Sequence, residues 1–290
     1  VASPTAGVQR AAGGFSHLTR LRECVEGESV LVADGGCLAV RNRFPLEHAH
    51  GRHRLGEALS ARPESLAILS KDWRLGSTEP RQALFLDVET TGLGTAAGTL
   101  AFLVGLGRYT ESAFEVTQYF LPSPACEGAF LDVVRDSLGA GLFLVSYNGR
   151  CFDAPLLQNR YVMQRKRLPL AEWLHLDLLH PTRLLYRPRV PDCSLGTVEQ
   201  RILGVERDQR DVPGYLIPRL YFDYLRDGAV EPLAAVFYHN LIDILTLSSL
   251  SASLVSAVEM REGNHPLDMV GVARVMERLG RLGEAKEAYG

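Results

Sequence analysis

Asp87-Val88-Glu89 sets two carboxylates two residues apart at the end of a short apolar run, ALFLDV. In an extended strand residues i and i+2 point to one face, so both acids would emerge together. Neighbouring carboxylates in apolar surroundings repel each other unless a cation holds them. Hard oxygen donors suit Mg2+ or Mn2+; a pair that merely opens a turn is the other reading of these two residues. Further acids occupy comparable places. Asp153 follows the apolar run LFLVSYN, where Asn148-Gly149 turns the chain, and Asp243 interrupts the apolar helical stretch YHNLIDILTL. An acid there is expected to face something other than hydrocarbon. Positions four apart share a helical face, which sets His239 beside Asp243. Asp87, Glu89, Asp153 and Asp243 could therefore converge on two metal ions roughly 3.5–4 Å apart, the arrangement that cleaves phosphodiesters. His239, with an ordinary imidazole pKa near 6.5, would position a water or accept its proton.

Such a site needs elements that bring distant residues together. ALFLDV, LAFLVGLGRY, FEVTQYFL and LFLVSYN read as buried strands, and LHLDLLH as a fifth. Helical spacing of Phe130, Val133, Val134 and Leu138 predicts a helix at about 126–138, and PLLQNRYVMQRKR predicts another. Three hairpin-linked strands, then helix, strand, helix, strand, is the order of an α/β fold with a mixed five-stranded sheet flanked by helices. Before it, residues 1–80 hold a loose arm over 1–26 and a β-hairpin about Asp34-Gly35-Gly36, with strands near 29–33 and 37–42. His48, His50 and His53 lie close together there, as a packed loop or a metal site. After residue 190 the chain is helical, with Ser194 as an N-cap for SLGTVEQRILG. The expected units are 1–80, a catalytic domain over 81–262, and a helical extension over 263–290 resembling the opening of a tetratricopeptide-type pair.

The segments DVETTG, YNGxxFDxPLL and HNLxD, in that order, resemble the DEDD (DnaQ-like) 3′→5′ exonucleases of the ribonuclease H-like fold. That resemblance implies four metal-binding acids in three motifs, matched here by Asp87 and Glu89, then Asp153, then Asp243. FLDVETTGLGTAAGTLAFLVGLG, CSLGTVEQRILG, DVPGYLIP and HNLIDILTL are further similar to the YprB-type branch, often joined to tetratricopeptide repeats. The similarity spans about residues 83–250. One departure stands out. The family's histidine subclass places His five residues before the last Asp, and its tyrosine subclass places Tyr four before it. Here those slots hold Tyr238 and His239, the other way round. His239 is favoured by its shared helical face with Asp243, and Tyr238 is the alternative. The resemblance implies a two-ion 3′→5′ exonuclease on nucleic acid, with single-stranded DNA favoured and RNA possible. A weakly catalytic nucleic-acid-binding or scaffold module is the second class of reading.

The formal charge of the 290 residues is −3, from 31 basic and 34 acidic side chains, which excludes a histone-like basic coat but not a local basic groove. Two divalent ions would bring it to +1, so binding of nucleic acid is expected to depend on metal. The segment Arg160-Tyr161 to Arg165-Lys166-Arg167 would guide a phosphate backbone, with Tyr161 under a base, or would be a solvated helix end. Thr90, Asn148, Arg160 and Arg165 are the candidate substrate contacts. Gly92-Leu93-Gly94 through Ala97 mimics a dinucleotide-binding fingerprint, but a strand-like run follows where a helix should open. No P-loop, H-E-x-x-H helix or G-x-S-x-G elbow occurs. Five widely spaced cysteines without a C-x-x-C pair, no signal-peptide layout and no run of ~18 apolar residues point to a cytoplasmic protein with no membrane segment.

Overall fold

The computed structural model describes residues 17–92, 98–139, 143–168 and 170–290. Seven strands share one sheet: β1 Glu28–Val32, β2 Cys37–Pro45, β5 Ala83–Thr90, β6 Ala101–Tyr109, β7 Ala113–Phe120, β8 Phe143–Ser146 and β9 His175–Asp177. Two very short strands, β3 Ala49–His50 and β4 His53–Arg54, form a separate ribbon. The order across the sheet is β1-β2-β7-β6-β5-β8-β9. β5 runs antiparallel to β6 and parallel to β8, which is parallel to β9, so the sheet is mixed. Helices flank it: α1 Pro63–Ser70, α2 Glu127–Leu138, α3 Asp153–Met163, α4 Leu179–Leu185, α5 Leu195–Val198, α6 Ile217–Asp227, α7 Glu231–Val258, α8 Pro266–Arg278 and α9 Leu282–Tyr289.

The α/β architecture with a mixed, helix-flanked sheet agrees with the sequence reading, and the strand count is corrected from five to seven. The N-terminal hairpin is not a separate region. Its second strand pairs with β7 from Leu38–Phe120 to Pro45–Ala113 and extends the sheet by two strands. A hairpin's sequence reports its own turn; which foreign edge it joins is a tertiary matter. Residues 17–24, expected within a loose arm, are helical, and Leu18 and Leu21 are buried. Residues 1–16 of that arm, and 93–97 of the dinucleotide-like fingerprint, lie outside the described residues.

Alternation along β5 splits the core in two. Ala83 and Phe85 join the cluster on one face, and Leu84, Leu86 and Val88 join the other. Asp87 and Glu89 continue the Phe85 face, where α7 packs. Glycines let α7 come close. A Cβ on Gly105 would meet the Asn240 amide oxygen at 2.3 Å, and one on Gly107 would meet Ile244 Cγ2 at 2.6 Å. Gly105 and Gly107 are i, i+2 on β6 and Asn240 and Ile244 are i, i+4 on α7, so two bare positions in the strand receive one face of the helix.

By length and composition α7 could cross a bilayer, although no uninterrupted apolar run marks it; 83% of its most apolar 18-residue window is buried within the protein. Its polar residues are used for cross-links: Ser249 donates to the His50 carbonyl at 3.1 Å, and Ser248 to that of Leu55 at 3.1 Å. The extension is anchored too. Gly271 of α8 lies against the α4 backbone, and Arg189 pairs with the buried Asp268. All five cysteines are free.

Candidate active site

Three places in the chain supply the acids. Asp87 and Glu89 lie near the carboxyl end of β5, both half-buried, with a register shift after Glu89 that ends regular pairing with β6. Asp153 is the first residue of α3. The loop before it is held by Asp177 at the end of β9: one carboxylate oxygen accepts from the Asn148 N–H at 2.8 Å, and the other from the Arg150 N–H at 3.1 Å. Gly149 is required there, since a Cβ would meet Ser146 Oγ at 2.4 Å and Asp153 Oδ2 at 2.7 Å. Asp243 and His239 come from α7, where the shared helical face sets His239 Nε2 3.5 Å from Asp243 Oδ2. One ligand atom each of Glu89, His239 and Asp243 fall within 4.8 Å of one another.

Charge crowding is visible in the carboxyl groups. Loss of hydration raises Asp87 well above the usual carboxylate range, and the charges of Asp243 and Asp153 add to it. Glu89 is raised by the same loss of hydration and then by Asp87 and Asp243. Asp153 is pushed up to about 7, chiefly by loss of hydration, with Asp177 and Asp243 contributing and backbone hydrogen bonds opposing.

Several residues that the motifs alone did not assign hold these acids in place. Asn240, fully buried, donates to Asp87 Oδ2 at 2.8 Å and accepts from Gln118 at 2.9 Å. The pairs Asp87–Gly105 and Gly105–Gln118 lie in one row across the sheet, so the Asn240 amide bridges that row above the missing side chain. An Asn in an apolar helix opposite a Gly-x-Gly strand was the available signal. Arg207 grips Glu199 with Nε and Nη2, both at 2.7 Å, and its Nη2 also contacts Asp243. Glu199 opens a π-helical turn, Glu199–Leu203, that runs on from α5 and turns its buried side chain inward. Asp211 sits 2.8 Å from His239 Nδ1, which leaves Nε2 as the nitrogen turned toward Asp243. A cavity of about 330 Å³ opens beside His239, Asp243 and Arg207.

Tyr238 is turned elsewhere: its ring lies under Arg210, 4.4 Å from Cζ to centroid, and its hydroxyl accepts from the Asp208 N–H. The other candidates have different duties. Thr90 donates to the Gly92 carbonyl at 2.5 Å, and Asn148 occupies a left-handed turn position at φ 64°. Arg160 requires correction. Arg160 is 6% exposed and makes a two-pronged ion pair with the buried Glu127, at 2.5 and 2.7 Å, so its guanidinium is not offered to a phosphate. Arg165 lies beyond the carboxyl end of α3, in a left-handed turn at φ 54°. Tyr161 is buried and donates to the Leu131 carbonyl, so it stacks on no base. This segment reads as basic in sequence, but acids of α2 hold Arg160 and Lys166, through Glu127 and Asp132. The three N-terminal histidines also have separate partners. His50 meets Thr246 at 2.9 Å, with burial lowering its pKa to about 4; His53 meets Glu57 at 2.7 Å; and His48 packs on Phe44.

A family model described as the RNase_H superfamily matches residues 84–255. The chain is 38% identical over 224 residues to "Uncharacterized protein YprB" of Bacillus subtilis, covering 75% of this chain and 52% of that protein. It thus spans about half the length of the curated relative it matches. Among solved structures, a zinc-bound E. coli exonuclease I complex with single-stranded DNA aligns with 52% of this chain and 42% of its own, at 16% identity and a TM-score of 0.36. E. coli exonuclease I with a dT13 oligonucleotide aligns with 50% and 41%, at 18% identity and 0.36.

Proposed function

This chain belongs to the RNase H superfamily, and on that premise we propose that it is a metal-dependent nuclease of the DEDD type, removing nucleotides from the 3′ end of single-stranded DNA. The observation that carries the reading is the meeting of Glu89, His239 and Asp243 within 4.8 Å, with Asp243 near enough to Asp87 and Asp153 to raise the pKa of both. A cluster of hard carboxylate oxygens offset by Arg207 alone among the contacts described fits divalent Mg2+ or Mn2+. Asp87, Glu89, Asp153 and Asp243 would hold two such ions. When bound, they would neutralise the acids and stabilise negative charge building on the phosphoryl oxygens.

The chain's own residues do the rest. His239 turns Nε2 toward Asp243, and in the tautomer whose Nδ1 proton goes to Asp211 that Nε2 takes the proton of an attacking water. Asn240 fixes the Asp87 carboxylate against the sheet, and Asp177 fixes the loop that delivers Asp153. Arg207 orients Asp243 through the Glu199 pair. The test is hydrolysis of 5′-labelled single- and double-stranded DNA and RNA by purified protein with Mg2+ or Mn2+, against a chelator control. Ladders shortening from the 3′ end of single-stranded DNA are expected, and abolished by Asp87→Asn and Asp243→Asn in folded protein. Intact substrates of all four kinds with folded, metal-supplied protein would refute the proposal.

A further inference from the structure

The chain has two tryptophans, Trp73 and Trp173, and they line adjoining cavities. The first cavity, about 600 Å³, is walled by Trp73, Lys71, Arg74, Arg150, His175 and Asp177. The second, about 220 Å³, holds Trp173 and shares Arg74, Arg150 and His175 with the first. It also reaches Ala154 and Pro155, the residues directly after Asp153. The two therefore form a groove along β9 and the loop between β8 and α3. β5, with Asp87 and Glu89, lies beside β8 and runs parallel to it. At ~4.8 Å between strands, β9 lies about 10 Å from β5, so the groove starts beside Asp153 and is separated from Asp87 and Glu89 by the width of a nucleotide or two.

The chemistry of the walls favours an anionic, ring-bearing chain. Trp73 is 62% exposed, a large ring left in water beside three cations. The groove's acids are already engaged. Asp72 pairs with Arg74 at 2.6 Å, and both Asp177 oxygens accept backbone N–H groups. With Arg74 tied to Asp72, the positive charge the groove offers is that of Lys71 and Arg150, and Arg150 is exposed. Stacking of a base on an aromatic ring tolerates any base, because every base has a π-face.

We propose that this groove binds one extended nucleic-acid strand beyond the reactive end, with a base on Trp73 and backbone phosphates on Lys71 and Arg150. The assignment rests on the nuclease reading of the adjacent acids and adds the place where the uncut strand lies.

Trp173→Phe leaves Trp73 as the sole tryptophan, so its fluorescence reports directly. Titration with a dT oligonucleotide is expected to quench it with Mg2+ in the Asp87→Asn background, and more weakly in chelator. Trp73→Ala should weaken binding about tenfold by anisotropy of a labelled oligonucleotide, equivalent to ~1.4 kcal/mol, and Arg150→Gln should weaken it as well. Both side chains are exposed, so folding is expected to persist, and circular dichroism checks it. No quenching in either condition, or unchanged affinity in Trp73→Ala and Arg150→Gln, overturns the groove. Equal quenching by thymidine monophosphate or by duplex overturns the extended-strand form. A chromogenic phosphodiester too small to reach the groove separates the two ideas. Its hydrolysis unaffected by Trp73→Ala, together with unchanged oligonucleotide binding, sinks the groove alone; failure of the wild type to cut any diester sinks the nuclease reading.

Discussion

Gly105→Ala tests whether close packing of α7 on β6 positions Asp87. Ordinarily Gly→Ala within a strand gains roughly 0.5–1 kcal/mol. Here the new methyl would lie 2.3 Å from Asn240 Oδ1 and 2.9 Å from its Nδ2, so the amide must move. Its donor to Asp87 at 2.8 Å and its bond from Gln118 at 2.9 Å would be strained or lost, at ~1 kcal/mol or more each, and overpacking adds ~1–3 kcal/mol. Net destabilisation of about 3 kcal/mol is expected, a fall in Tm of roughly 6–12 °C. Asn240→Ala empties that space, so Gly105→Ala should cost under ~1 kcal/mol in its background and give a coupling of about 2 kcal/mol. Urea unfolding of the four proteins measures this cycle. Asn240→Ala should also slow hydrolysis by about tenfold or more, because Asp87 loses its donor. Equal cost of Gly105→Ala in both backgrounds would refute the packing argument.

Metal should stabilise the fold through the acids: MgCl2 or MnCl2 is expected to raise Tm of the wild type but not of Asp87→Asn/Asp243→Asn, as read by calorimetry. In chelator the raised Asp87, Glu89 and Asp153 carboxyls bind more protons in the folded than in the unfolded chain. Their contribution is therefore fully present below the unfolded carboxylate range and declines as pH rises, for Asp153 through about 7. Asp153→Asn should flatten that decline, and an unchanged slope would contradict it. Arg207→Gln leaves the buried Glu199 and Asp243 without their cation and is expected to cost about 3–5 kcal/mol in urea unfolding. A loss below ~1 kcal/mol would show the network to be dispensable.

Legibility followed the range of the interactions. The β5 acids, the Asp153 turn and the His239–Asp243 spacing were local patterns of period two or four, and a strand or helix translates such patterns directly into shared faces. Asn240 was marked only as an amide within an apolar helical stretch, because its partners, Gly105 and Gln118, lie on two other strands. Arg160 looked like a phosphate contact for the same reason: its cation is local, whereas Glu127 belongs to another helix. The hairpin at residues 28–45 announced its turn and not the β7 edge that completes the sheet.

The sequence by itself determined which residues are apolar at strand and helix spacing, and therefore an α/β chain with paired acids at the ends of elements. It also determined that His239 and Asp243 share one helical face. Only the tertiary structure decided that these acids meet, that Arg207 and Asn240 hold them, and that two distant tryptophans line one groove. Side-chain direction within an element follows from covalent geometry, whereas the encounter of elements depends on how their surfaces pack. Here, two missing Cβ atoms on β6 admit α7 to the sheet.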